Sequence, residues 1–428
     1  MKTMGTDRRQ FLRSVGLAGA ALATPSLLAA CSKSDEGAPA GGGGGGGGGS
    51  VDAQAITLVS LFGTSGSQAE IGQEALDGLK LAPTAFGNKM LNRDVKIVAY
   101  DTQEVIDTAV RRARESKARG ADFFVGGTLS SVALAVGEEV NKASGLFITS
   151  AGADEITGKE CRTGTVRWSV ATHGAIEETV RPMLEADSSL RRWYTITPDY
   201  VFGQALLRNA QAVFKEKGVE HVGNSFHSLD TTEFSGYINN AIAAKPDVLC
   251  ILNFGAQSTT TLKQAVSFGV KSKMKILLVW SGGLSQLRAI GADALDGVFV
   301  GCQYWHTVDT PGNKQFVDLW RKEHQSNPSY SVAMGYVGGK LILEGMRKAG
   351  SSEPAAVAKA LEGFEFEGLT GKETVRAGDH QVIKNYYLLK GKAKSAMADA
   401  DDLMEMVSDG NTALSLDQTG CTLKPLGT

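Results

Sequence analysis

The residues whose types suit ligand contact sit at the ends of short apolar runs. Thr128-Leu129-Ser130-Ser131 follows "ADFFVGG", Thr149-Ser150-Ala151-Gly152-Ala153 follows "GLFI", and Trp280-Ser281-Gly282-Gly283 follows "KILLV". Hydroxyls and free backbone N–H groups in such places hydrogen-bond a small polar or anionic solute, the more so just before a helix. The chain offers little that would transform such a solute. "GTSGS" and "VWSGG" miss the spacing of a G-x-S-x-G nucleophile turn. "EGLTGKET" sets Gly371 before Lys372 but lacks the upstream glycine and the following Ser/Thr of a phosphate loop. No C-x-x-C or His-rich cluster points to a metal site. Neither metal nor cofactor is expected, and binding is favoured over catalysis; turnover of a cleft ligand would revive an enzyme.

The elements that position these residues repeat. "AITLVSLFG" is a strand pattern followed by the helical "EIGQEALDGLKLA", and "RRWYTIT" is followed by "VFGQALLRNAQAVFKEKG". Each half continues as strand, helix, strand, helix, strand. Continuous apolar runs suit parallel strands covered on both faces, and the alternation implies right-handed crossovers. The fold class is therefore α/β, with two doubly wound parallel-sheet lobes. Tyr304 to His380 reads differently, as three helices covering one or both lobes. Ligands of open parallel sheets bind beyond the carboxyl ends of the strands. That selects Gly63–Ser67, Thr128–Ser131 and Thr149–Ala153 in the first lobe. In the second it selects Thr197–Phe202, Asn253–Ser258 and Trp280–Gly283. Phe202, Phe254, Trp280, Tyr304 and Trp305 are candidate apolar walls.

The amino-terminal segment is of another kind. Residues 1–30 read as an export signal, with Arg8 and Arg9 in "DRRQFLR" resembling a twin-arginine signal, although Asp7 stands where Ser or Thr is usual. "LAAC", Leu28 to Cys31, resembles the lipobox of bacterial lipoproteins, which implies cleavage before Cys31 and a lipid on its sulfur. Residues 31–53, with nine consecutive glycines, then form a tether. A flexible segment of that length reaches about 25 Å root-mean-square. Cys250 and Cys302 lie in apolar strand-like runs and read as buried thiols. Cys161 and Cys421 lie in polar segments, and an oxidising compartment permits their pairing, which sequence alone does not prove.

A net charge of −2 and the absence of any Lys/Arg block beyond the signal exclude nucleic acid as an obvious partner. After the signal, no apolar stretch is long enough to span a bilayer.

In order along the chain, "IGQEALDGLKLA", "DTQEVIDTAVRRARE", "FFVGGTLSSVALAV", "ITSAGADEIT", "PDYVFGQAL", "DTTEFSGYINNAIAAKPDVL" and "GADALDGVFVG" resemble the type I periplasmic substrate-binding proteins of ABC importers, in the branched-chain amino acid (Leu/Ile/Val-binding) family. The resemblance covers Ala55 to Lys392. It implies two lobes joined by three hinge crossovers, near His173, Tyr304 and Gln381. One lobe would be 55–172 plus 304–380, the other 173–303 plus 381–428. The ligand would close the cleft, and the closed form, a monomer, would dock on the permease and ATPase subunits. The location implied is the periplasm or the outer face of a membrane. A ligand-sensing receptor subunit is the alternative use of the same clamp.

The family's contacts carry over unevenly. Its carboxylate-holding serine falls on Ser130 or Ser131, and its loop contacts on Ala151 and Ala153. Its aromatic positions become Phe202 and Phe254 where tyrosines are usual, and the first-loop aromatic becomes Ile71. Trp280 is a further wall, and Ser281 or a neighbour stands where the family places a glutamate for the ligand's ammonium. No carboxylate lies between Val279 and Arg288. Burying an ammonium without a partner is expensive. An aromatic or aliphatic carboxylate therefore fits better than leucine, while Asp199, Asp230 or Glu233 keeps an amino acid open.

Overall fold

Apolar runs of four to seven residues build the strands, and amphipathic helices cover both sheet faces. The computed structural model describes residue 52 and residues 54–426. The export signal, the lipobox, Cys31 and most of the tether lie outside the described residues.

The first lobe opens with β1 (Ile56–Leu61), α1 (Ala69–Leu81), β2 (Lys89–Met90), β3 (Arg93–Ala99) and α2 (Ile106–Ala118). It continues through β4 (Phe123–Gly126), α3 (Ser130–Lys142), β5 (Leu146–Thr149) and β6 (Thr165–Arg167). These strands pair in the order β2-β3-β1-β4-β5-β6, parallel except for the β2–β3 edge.

The short helices α4 (Thr172–Glu177) and α5 (Val180–Ala186) lead to the second lobe. There follow β7 (Arg192–Pro198), α6 (Val201–Lys217), β8 (Glu220–His227), α7 (Ser235–Ala244) and β9 (Val248–Ile251). Next come α8 (Ala256–Ser267), β10 (Lys275–Leu278), α9 (Leu284–Ile290), α10 (Ala292–Leu295) and β11 (Phe299–Cys302).

The chain then returns through α11 (Pro311–His324), α12 (Tyr330–Ala349) and α13 (Pro354–Leu361). After them β12 (Glu365–Gly368), β13 (Gly371–Val375) and β14 (Val382–Ile383) form a small antiparallel sheet. The last elements are β15 (Tyr386–Gly391), β16 (Met404–Gly410) and α14 (Leu416–Thr419). The second sheet runs β16-β15-β11-β10-β9-β7-β8, with β15 and β16 antiparallel at one edge. The three helices of 304–380 are present, but the strands that follow them are an addition. Their signal was hidden because "EFEG" and "GKETV" are half-exposed and mostly polar.

Helix α12 lies close on α1. A Cβ at Gly335 would stand 1.8 Å from the Ala75 carbonyl oxygen, and one at Gly78 2.0 Å from that of Val332. Bare backbone at both positions permits this approach, which carries the start of α12 to the second lobe.

Side chains knit the crossings together. Gln303 Nε2 donates to the Val170 carbonyl, and its Oε1 accepts from Val170 N–H. Gln381 Nε2 donates to the Ser169 carbonyl, and Lys384 Nζ to the Gln303 carbonyl. Arg167 Nε donates to Gln381 Oε1 at 2.6 Å. The tail corrects one expectation. Residues 414–426 do not stay with the second lobe as 381–428 would require, although Thr412 still donates to Glu178 there. Cys421 is bonded to Cys161, with Cα atoms 5.6 Å apart. Leu426 N–H donates to the Glu362 carboxylate and Arg376 Nη1 to the Leu414 carbonyl. The tail thus returns to the first lobe, where polar hydrogen bonds hold it with no apolar pattern to announce it.

Candidate ligand cleft

The aromatic walls follow from where the second-lobe strands end. Tyr200 and Phe202 lie at the start of α6, just after β7; Phe254 follows β9 and Trp280 follows β10. The Phe202 and Trp280 rings meet edge to face with centroids 5.2 Å apart, and Phe202 meets Phe254 at 6.3 Å. Tyr386 of β15 backs Trp280 at 5.9 Å. The first lobe supplies Thr128, Ser150 and Gly152 from the loops after β4 and β5, with Tyr330 and Met334 from α12. These residues line a narrow cavity of about 10 Å³, so the rings and the first-lobe loops lie almost in contact. Gly152 is the tightest contact: a Cβ there would lie 2.7 Å from both Phe202 and Trp280. Tyr330 Oη donates to the Ser150 carbonyl at 3.2 Å.

No charged side chain lines this cavity, but two stand behind its loops. Glu104 is buried and accepts N–H groups from Gly63 at 3.1 Å, Thr128 at 3.2 Å and Leu129 at 2.9 Å. Burial pushes its carboxyl above the ordinary range. Arg167, 1% exposed, donates from Nη1 to the Gly152 and Ala153 carbonyls. Burial lowers its guanidinium to about 10. The loops are therefore fixed from behind by opposite charges.

A second compartment, of about 60 Å³, lies between the lobes as well. Gln68, Ile71 and Glu74 border it from the first lobe, and Gly255, Gly282, Ser285 and Gln286 from the second. Gln286 Nε2 donates to the Gly255 carbonyl and to Ser258 Oγ, while its Oε1 accepts from Gly282 N–H, so one amide ties two second-lobe loops. Glu74 spans the lobes, accepting from Ser285 Oγ and, at 2.5 Å, from Ser329 Oγ. Burial raises its carboxyl too.

The sequence-selected residues divide between these places. Phe202, Phe254 and Trp280 come together in the first compartment and Ile71 borders the second. Ser130, 1% exposed, accepts the Ala153 N–H at 3.1 Å and so holds the loop. Ser131 is half-buried and lines neither compartment. Ala151 donates its N–H to Thr149 Oγ1 and accepts from Ser169 Oγ. Ala153 gives its carbonyl to Arg167, and buried Ser281 accepts from Gly283 N–H at 3.4 Å. Tyr304 and Trp305 are not walls: Tyr304 donates to Asn313 at 2.7 Å, and Trp305 packs in the second-lobe core. Thr128, Ser150, Gly152 and Tyr200 fall within the strand-end windows. Tyr330, Met334, Gln68 and Glu74 do not, since they sit in or beside helices that the fold brings to the cleft. Among the described residues no cluster of His, Cys, Asp or Glu suits a metal ion, and no helix is long and apolar enough to cross a membrane.

The comparisons with known proteins agree on one assignment. A family model described as periplasmic binding protein matches residues 55–396. The Leu/Ile/Val-binding protein homolog 7 of Brucella suis is 27% identical over 333 residues, covering 73% of this chain and 82% of that protein. The crystal structure of an amino acid ABC transporter substrate-binding protein from Pseudomonas fluorescens Pf-5 is 51% identical with a TM-score of 0.84, covering 87% of this chain and 100% of that one. A solute-binding protein from R. palustris, solved with benzoate, is 22% identical with a TM-score of 0.77 over 86% of this chain and 100% of that one, and shares the fold.

Proposed function

We infer the function from one premise: the chain belongs to the periplasmic binding protein family, the solute receptors of ABC transporters. It captures a small carboxylate-bearing solute between its lobes and delivers it to the permease and ATPase subunits of an importer of the branched-chain amino acid type. A lipid on Cys31 holds it at the membrane, and the glycine tether lets it reach the permease. The observation that carries the reading is the cavity closed by Phe202, Phe254 and Trp280 against Thr128, Ser150 and Gly152. The rings suit an apolar body. Thr128 Oγ1, buried and without a well-aligned hydrogen bond among the described residues, and the first turn of α3 suit a carboxylate. The test is a thermal-shift panel of branched-chain amino acids, benzoates, medium-chain fatty acids, urea and small amides. A ligand at 100 times its Kd adds about 2.7 kcal/mol, a rise of a few degrees. A shift with urea or amides and with no acid would overturn the carboxylate reading.

A further inference from the structure

The second compartment has more acceptors than donors. Glu74 receives hydroxyls from Ser285 and Ser329, with Ser331 nearby, and all of these donors are neutral. Among the described residues, no Lys, Arg or His pairs with it, and Glu70, bordering the same space, adds a like charge. Gln68 is the independent observation. It is 6% exposed, its Oε1 has no hydrogen-bond partner, and it lines the same space across from Gly255. The one amide donor nearby, Gln286 Nε2, is spent on the Gly255 carbonyl, Ser258 and Thr259. A partly buried carboxylate without a cation is costly, and so is a buried amide oxygen without a donor. One cationic group with several N–H bonds answers both.

We propose that Glu74 and Gln68 form the recognition end for an ammonium group on the ligand, so that the charge expected after the fifth strand comes instead from α1 of the opposite lobe. This rests on the reading of the cleft as a solute site. The two compartments are lined by neighbouring residues of the same three segments. Phe254 and Trp280 of the first lie beside Gly255 and Gly282 of the second, and Tyr330 lies beside Ser331. A solute with its apolar body among the rings therefore places an adjoining ammonium at Glu74. Because Glu74 is hydrogen-bonded across the cleft to Ser285, such a ligand would also strengthen the contact that holds the lobes together.

The test is calorimetric titration of the full chain with matched pairs differing only in the ammonium. These are L-leucine against 4-methylpentanoate, 6-aminohexanoate against heptanoate, and 4-(aminomethyl)benzoate against 4-ethylbenzoate. The first pair reads an ammonium beside the carboxylate and the other two a distal one. At least one ammonium-bearing member should bind about tenfold or more tighter than its isostere, a difference of roughly 1.4 kcal/mol. Glu74→Gln should cut that ratio to within about threefold by weakening the ammonium-bearing member alone. Gln68→Leu, which leaves the Glu74 contacts in place, should reduce the same ratio to a smaller extent. Equal binding within every pair, or a preference that survives Glu74→Gln, would overturn the assignment and leave the solute receptor standing. Binding of no probe, with the panel above also silent, would overturn both.

Discussion

The first lobe brings Thr128, Ser150 and Gly152 to the aromatic cavity, while the second brings Tyr200, Phe202, Phe254 and Trp280. Hydroxyls and backbone groups act directionally, so on the proposed reading the first face would set how a solute is oriented. Ring burial is non-directional and scales with area, so the second face supplies most of the drive to close. On the proposed reading the two lobes contribute unequally: the first adds Tyr330 and Met334 to its hydroxyls and backbone groups, and the second adds the cluster of rings. This means that changes on the two faces should separate in experiment.

The largest effect is expected at Trp280, 2% exposed and packed between Phe202 and Tyr386. Trp280→Ala should cost about 3–5 kcal/mol of stability in denaturant unfolding, as truncations of buried aromatics do. Ligand affinity should fall with it. Unchanged affinity in a folded variant would make the ring core alone and dissolve the contrast between the faces.

Gly152 is where the faces touch. Gly152→Val puts a branched side chain against Phe202 and Trp280, which a Cβ alone would approach to 2.7 Å. Lobes that stand apart without ligand would have room for it, and lobes packed as in this structure do not. Affinity should fall about 100-fold, roughly 2.7 kcal/mol, with little change in unfolding temperature. An equal loss of stability would show that the lobes are closed without ligand as well.

How much of this was legible in the sequence follows from which contacts are local. Strand-end windows held Thr128, Ser150, Gly152 and Tyr200 because a parallel sheet aligns its strand ends by topology alone. Ser130 and Ser131 shared the same window, yet one holds a loop and the other lies outside both compartments, since a window does not tell a side chain's direction. Glu74 carried no signal: on α1 it reads as an ordinary exposed helix glutamate, and only the approach of Ser285 and Ser329 reveals it. The Cys161–Cys421 pairing that two polar segments in an oxidising compartment permitted is formed, whereas the path of the tail that brings Cys421 there had no apolar periodicity to show it.

A smaller effect should come from the orienting face. Among the described residues, Thr128 Oγ1 is buried without a well-aligned hydrogen bond and lies near the Glu104 carboxylate. Thr128→Val keeps the shape and removes the hydroxyl. Affinity for a carboxylate should fall about five- to tenfold, near the 1 kcal/mol of an ordinary hydrogen bond, and stability should not fall. A stability loss without an affinity loss would move the orienting role to Ser150 and the α3 backbone.

The smallest effect on affinity is expected at Lys384, beside the lobe crossings and away from both faces, where pH sharpens the comparison. Lys384 is buried, donates to the Gln303 and Asn385 carbonyls and lies 4.7 Å from the Trp168 ring centroid. Burial lowers its ammonium to about 8 from 10.5. Below pH 8 it is protonated folded and unfolded alike, and the buried charge is a fixed penalty. Between pH 8 and 10.5 the folded chain has lost the proton and the unfolded chain keeps it. The unfolded state then binds more protons, so the Lys384 contribution to stability rises with pH across this window. Melting temperatures of the wild type and Lys384→Met at pH 7.5 and pH 10 should therefore differ in a way that moves in favour of the wild type at the higher pH. Within the cleft, burial raises Tyr200 and Tyr330 well above their ordinary values. Affinity for a ligand that does not itself titrate should consequently stay within about twofold over the same range. If wild-type affinity instead follows pH while that of Lys384→Met does not, the Lys384 proton is tied to closure, and the lobe crossing joins the two faces as a third determinant of binding.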